Sequence, residues 1–173
     1  MLFRSLRVWD VRPDLSEGRI SSLSADTRRL LAGLEAGRTI DIKAYVSPTV
    51  PEDYAQTRLN LLNMLQQFQR LGAGKIRVEV IPTEPKTEAA ALASQQFGIE
   101  PVTVLSRVRG TYRDEEIFLG CAFTSGLEKV VVPFFDKGTP VEYELIRSIC
   151  TAAQQKRSEE HTSELQSHSD LVC

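Results

Sequence analysis

Nucleophiles and proton carriers are scarce in this 173-residue chain, and their placement decides which chemistry is open to it. Three cysteines occur, Cys121, Cys150 and Cys173, and two histidines, His161 and His168. No pair of cysteines has the Cys-x-x-Cys spacing that lowers a thiol pKa for disulfide exchange. Cys121 sits inside the apolar run "IFLGCAF", and Cys150 falls on the stripe Leu145, Ile146, Ile149, so both read as buried structural thiols. "GAGK" at Gly72–Lys75 has the flavour of a phosphate loop, but a glycine is missing at Gln69 and a Ser/Thr at Ile76. It also runs from helix to strand, which aims no helix N-terminus at a phosphate, so it reads as a helix stop and turn. Neighbouring carboxylates, Glu115–Glu116 and Glu142 with Glu144, point apart on any regular element and read as solvated faces. Arg107, Arg109 and Arg113 flank a hairpin tip, where charges commonly protect a sheet edge, although they could also touch an anionic partner.

Both histidines lie in the closing stretch "RSEEHTSELQSHSDLVC". The codons AGA TCG GAA GAG CAC encode Arg157 to His161 and match the start of a common sequencing adapter. Their reverse complement, GTG CTC TTC CGA TCT, reads Met-Leu-Phe-Arg-Ser when GTG starts translation, and the chain opens "MLFRS". Residues 1–5 and 157–173 are therefore read as adapter-derived and set aside. The native part, about Leu6 to Lys156, becomes an internal fragment open at both ends. The end segments carry two of the 21 basic and four of the 23 acidic residues, so 19 of each remain. Without histidine, this part offers neither nucleophile–histidine catalysis nor a Cys/His zinc site. No catalytic, cofactor-binding or metal-ligating residue is assigned.

This length suits one domain with a real core. Balanced charge argues against a nucleic-acid or anionic-membrane surface. No apolar run approaches the roughly 18 residues of a membrane span, which says little with both ends of the gene product missing.

Strand and helix signals alternate along the chain. After a strand-like "RVWDV", Ser24 is a candidate N-cap for a helix with Thr27, Leu30, Leu31 and Leu34 on one stripe and Gly37 as its stop. "TIDIKAYVS" alternates Ile40, Ile42, Ala44 and Val46 against polar neighbours, as a one-sided strand does. Thr49 and Glu52 have capping-box spacing before a helix of about five turns, with Pro51 in its first turn and Leu61, Leu62, Leu65 and Phe68 buried. "KIRVEVIP" places Ile76, Val78 and Val80 inward, and an alanine-rich helix from Thr87 to Phe97 stops at Gly98. "VTVLSRVR", "EEIFLGCAFT" and "EKVVVPFF" follow as strands, joined by the hairpin links "GTYRD" and "SGL", before a closing helix. The expected architecture is α/β: a mixed sheet with helices on both faces, parallel early and antiparallel late. Residues 6–38 lead into the domain, and 39–156 form it.

That order resembles a thioredoxin-like core with an extra antiparallel strand. In "FGIEPVTVL" the likeness places Pro101 at the opening of a strand and implies a cis Glu100–Pro101 bond. The redox cysteines of such a core are missing from the corresponding link "SPTVPEDY". At family level, "DLSEGRISSLSADTRRLLAGL", "IDIKAYVSPTVPEDY", "KIRVEVIPTEP", "FGIEPV", "FLGCAF", "VVVPFF" and "VEYELIRSI" occur in order across nearly all of Leu6 to Lys156. Together they resemble the extracytoplasmic domain of the GldG-type auxiliary component of ABC transporters, linked by name to gliding motility. The resemblance implies a non-catalytic domain on the periplasmic side of a bacterial inner membrane, without cofactor. It implies ABC permease and ATPase subunits as partners and a membrane anchor supplied by helices outside this fragment. The alternative is a thioredoxin-like thiol/disulfide enzyme. Open α/β sheets bind at the C-terminal ends of parallel strands, so "VSPTVPED" and "PTEPKT" are the candidate contact loops.

Overall fold

A computed structural model describes residues 23–34, 39–108 and 110–166. "RVWDV", Gly37, Arg109 and the segments 1–5 and 167–173 lie outside the described residues. The elements are α1 (Ala25–Ala32), β1 (Ile40–Val46), α2 (Glu52–Leu71), β2 (Ile76–Pro82), α3 (Glu88–Phe97), β3 (Val102–Val108), β4 (Thr111–Ile117), β5 (Leu119–Ser125), β6 (Glu128–Val132) and α4 (Val141–Gln166).

Four strands form the main sheet in the order β2-β1-β5-β6, with β1 parallel to β2 and antiparallel to β5, and β6 antiparallel to β5. Strand alternation sorts the two faces. Ile40, Ile42, Ala44 and Val46 of β1 join Leu119, Cys121 and Phe123 of β5 in one core, under Leu31 of α1, Leu61, Leu65 and Phe68 of α2, and Leu145 and Ile149 of α4. On the other face Tyr45, Phe118 and Ala122 pack under Ala93 of α3 and Ile99. The chain is thus an α/β domain with a mixed sheet and helices on both faces. β5 is buried throughout except Thr124, as an interior strand between β1 and β6 should be.

Local signals place several boundaries. Ser24 caps α1, its hydroxyl accepting from Thr27 N at 3.1 Å. Thr87 caps α3, and Gly98 ends it at φ 65°, a left-handed position that glycine adopts without cost. Gly120 has a different reason: a Cβ there would stand 2.5 Å from the Pro133 carbonyl oxygen and 2.8 Å from Ile99 Cγ2.

Elsewhere the structure corrects the sequence. The α1 stripe keeps Thr27 and Leu31 buried but leaves Leu30 exposed, and the helix ends at Ala32, with Gly33 as its C-cap. α2 starts at Glu52 with Pro51 as N-cap and no side-chain cap bond, so Thr49 lies outside the helix and forms no capping box. Its first-turn acids, Glu52 and Asp53, favour the positive end of the helix dipole instead. Val80 is exposed on β2, which among the described residues is the edge strand of the sheet.

The larger correction concerns the late strands. "GTYRD" is no link: Thr111 to Asp114 belong to β4, and the run "EEIFLGCAFT" breaks at Phe118 into β4 and β5. Among the described residues β3 and β4 pair only with each other, as a separate two-stranded ribbon. The extra antiparallel strand is therefore a ribbon inserted ahead of β5, and not a fifth strand of the main sheet. Four exposed residues in succession, Thr111 to Asp114, are incompatible with the buried centre of a sheet and let β4 project. Pro101 opens ribbon strand β3, whereas Phe118 leads into the core strand β5, and the Glu100–Pro101 bond is trans.

α4 continues as backbone helix past Lys156 to Gln166. No glycine or proline stands in that stretch to stop it, and extension of an existing helix is far easier than its nucleation.

Candidate functional site

The C-terminal ends of β1 and β2 meet the β4–β5 junction at one buried hydroxyl. Ser47 Oγ donates to the Thr83 carbonyl at 3.0 Å and accepts from Phe118 N at 2.8 Å. Ser47 N donates to the Phe118 carbonyl at 2.8 Å, Thr83 N donates to the Val46 carbonyl at 3.0 Å, and Arg58 Nε donates to the Ser47 carbonyl at 2.9 Å. Three chain segments are thereby fixed to one another, including both loops singled out from the sequence.

Beside this knot lies a cleft of about 420 Å³. Its walls come from the loop after β2 (Pro85, Lys86, Thr87), from α3 (Ala90, Ala91, Ser94), and from the ribbon base (Glu100, Pro101, Glu116), with Phe118 beneath. Small alanine side chains on α3 open the space, and Phe118, held by Ser47, forms its apolar floor. Lys86 enters the wall at φ 66°, an uncommon left-handed conformation for a residue with a Cβ. Thr87 Oγ1 is occupied in the turn, donating to the Glu84 carbonyl at 2.7 Å and accepting from Ala90 N. Ser94 Oγ donates to Glu100 Oε1 at 3.5 Å. The cleft can seat an apolar group beside Glu100 and Glu116; it presents no hydroxyl–imidazole or thiol–imidazole pair.

The structure brings "PTEPKT" into the cleft, whereas "VSPTVPED" reaches it only through Ser47 and Phe118. Of the sequence candidates, Glu116 lines the cleft and Glu115 is half-buried on the ribbon's other face. Glu144 pairs with Arg147 at 2.6 Å. Glu142 is more than a solvated acid: its Oε1 accepts from Ser24 N at 2.8 Å and Thr27 Oγ1 at 2.7 Å, tying α4 to the start of α1. Burial pushes the Glu142 carboxyl up, and the hydrogen bonds from Thr27 and Ser24 outweigh it, leaving its pKa lowered. Gly72 ends α2 and the "GAGK" turn leads into β2, as read. Arg113 is exposed on β4.

Cys121 is fully buried and its thiol is pushed up by burial; Cys150 is partly exposed, with burial raising its thiol as well. Among the described residues no group of His, Cys, Asp or Glu could hold a metal ion, and no helix is long and apolar enough to cross a membrane. The sequence reading missed Ser47 and a second tie, Tyr54 Oη donating to Asp136 Oδ1 at 2.8 Å between α2 and the loop before α4. A serine closing an apolar strand was the available signal for the first. The second joins residues 82 apart, with no local mark.

The fold and the cleft define an α/β domain with an apolar-floored, acid-flanked recess. Residues 17–124 match a family described as a domain of unknown function (DUF7088), and the chain belongs to that family. Comparison with curated proteins and with solved structures gives no match.

Proposed function

We propose that this domain is a non-catalytic, extracytoplasmic accessory part of an ABC transport system of the GldG type, and that it binds a partner protein or substrate through its surface. The observation that carries the reading is the ordered set of motifs from "DLSEGRISSLSADTRRLLAGL" to "VEYELIRSI", spread over the domain. The cleft and its neighbouring loops are the surface assigned to binding. In this reading the chain is tethered at the periplasmic face of a bacterial inner membrane, and it works beside permease and ATPase subunits.

A thioredoxin-like thiol/disulfide enzyme is the second reading, favoured by the β2-β1-β5-β6 strand order with α3 and the other helices on opposite faces. The positions of the thiols count against it. Exchange needs an accessible thiolate, and burial both raises the Cys121 pKa and blocks attack. The test is affinity purification of the tagged protein from detergent-solubilised membranes. Co-purification of an ABC ATPase and permease in fixed stoichiometry supports the accessory role, and their absence from a purified, folded product overturns it.

A further inference from the structure

The α3 wall of the cleft is made by Thr87, Ala90, Ala91 and Ser94, which recur every three or four positions and so form one face of the helix. At about 1.5 Å per residue that face is about 10 Å long. Charged groups of opposite sign stand at its two ends. Lys86 precedes the N-cap Thr87 at one end, and Glu100 lies at the other, where its Oε1 accepts from Ser94 Oγ at 3.5 Å. Glu116 enters from the ribbon base: it pairs with Thr103, on the face shared with Pro101 and continued by Phe118. None of the ion pairs among the described residues joins Lys86 to either carboxylate, so the cleft holds its two signs apart. The dipole of α3 has the same sense, positive toward Lys86 and negative toward Glu100. Between the ends the surface is apolar, with Ala90 and Ala91 above Phe118. Other charges nearby line no part of the cleft: Glu84 and Glu88 flank Lys86 in sequence, and Lys129 donates to the Gln96 carbonyl at 2.8 Å. Arg107 stands four positions beyond Thr103 on β3, about 13 Å along the strand.

We propose that this cleft binds a small zwitterion with an apolar body, of the class of a free di- or tripeptide with apolar side chains. Its α-carboxylate is set against Lys86 at the N-terminal end of α3, its α-ammonium against Glu100 and Glu116, and its side chains over Phe118. Charge complementarity selects the occupant. A simple amine would leave Lys86 facing the ligand without a counter-charge, and a fatty acid would bring nothing to the two carboxylates. Length sets the size: at about 3.3–3.6 Å per residue, a peptide of two or three residues spans about 7–10 Å, the length of the α3 face. A single amino acid holds its charges too close together to reach both ends. The volume of about 420 Å³ falls within the range of small-molecule sites, roughly 300–1,000 Å³. Recognition lies in the two charged ends and the apolar floor, and needs no strand pairing with the ribbon. The inference deepens the substrate-binding side of the function proposed above and rests on it for its setting.

The test is isothermal titration of the full chain with alanyl-leucyl-alanine, its N-acetyl form and its C-terminal amide. The free tripeptide is expected to bind, and each blocked form to bind at least about tenfold more weakly. Lys86→Gln should erase the penalty for the amide and keep that for the acetyl form. Glu100→Gln with Glu116→Gln should do the reverse. Arg70→Gln, which removes an exposed cation from α2 on the opposite side of the sheet, should leave all three affinities as they were. Ala91→Trp, which fills the cleft from an exposed helix position, should abolish binding with the charges intact. Circular dichroism confirms that each variant remains folded, and the blocked peptides test both ends on the parent chain alone. A free tripeptide that does not bind, a blocked form that binds as well as the free one, or a Lys86→Gln chain that still discriminates against the amide overturns the proposal. Co-purification with transporter subunits reports separately. If it holds while the tripeptide fails to bind, the accessory role stands without this ligand. If it fails while the tripeptide binds as described, the ligand site stands and the transporter setting falls.

Discussion

Ser47→Ala removes one oxygen from a buried position and should be among the most damaging single-atom changes in the domain. The Oγ makes two hydrogen bonds, to the Thr83 carbonyl and from Phe118 N, and Ser47 and Phe118 are 3% and 1% exposed. A neutral hydrogen bond contributes about 0.5–1.5 kcal/mol net, and a buried donor left without a partner costs about 1–3 kcal/mol. Phe118 N–H would face a methyl group, so the expected loss is about 2–3 kcal/mol. With a urea slope near 2 kcal/mol/M, the unfolding midpoint should fall by about 1–1.5 M at unchanged slope. Thr151→Ala serves as control: it deletes an exposed hydroxyl bonded to the Arg147 carbonyl within α4 and should stay within about 0.5 kcal/mol. Limited proteolysis gives a second readout, since loosening the knot should speed cleavage in the loop between β2 and α3. A midpoint shift no larger than that of Thr151→Ala would refute the assignment of Ser47 as the tie among the three segments.

Gly120→Ala should destabilise by at least about 2 kcal/mol in the same assay, because the new Cβ meets the Pro133 carbonyl, which is backbone and cannot rotate away. Tyr54 has its pKa raised from 10.0 to about 12, by burial first and then by its hydrogen bond to Asp136. Since the folded value exceeds the unfolded one, its stabilising contribution is intact below pH 10 and lost as pH rises toward 12. Tyr45 is also raised, by burial first and then by Glu79, so ultraviolet titration should show Tyr54 and Tyr45 ionising late, and Asp136→Asn should bring Tyr54 alone down; an unchanged titration would remove the Tyr54–Asp136 bond from the account. Glu142, with its lowered pKa, contributes above the usual carboxylate range and loses that contribution as pH falls through its folded value. Glu142→Gln should accordingly flatten the acid side of the stability profile and speed amide exchange in α1, while equal exchange in variant and parent would show that Glu142 does not hold α1.

Periodic elements were legible in the sequence because each carries its own pattern. The alternation at Ile40, Ile42, Ala44 and Val46 identified both β1 and its buried face, and the alanine-rich run closed by Gly98 gave α3 almost to the residue. The ribbon was not legible. "EEIFLGCAFT" reads as one strand because apolar continuity hides the break at Phe118, and that break follows from Ser47 and Thr83, far away in sequence. The cis expectation at Pro101 failed for the same reason, since the inserted ribbon separates that proline from the core strand β5. Of the cleft, the sequence indicated the loop "PTEPKT" through the general habit of open α/β sheets. Its opposite wall depends on where the ribbon folds back, which no local pattern encodes.

The central claim, that the domain acts by presenting a surface and not by thiol chemistry, is tested most directly on the native chain carrying Cys173→Ser. Insulin reduction is followed together with the rate of labelling by a chromogenic thiol reagent. The account predicts no turnover above the dithiothreitol background, Cys121 labelled only after denaturation, and Cys150 labelled slowly. Rapid labelling of Cys121 in the native state, accompanied by insulin reduction, would contradict it and establish the enzyme reading.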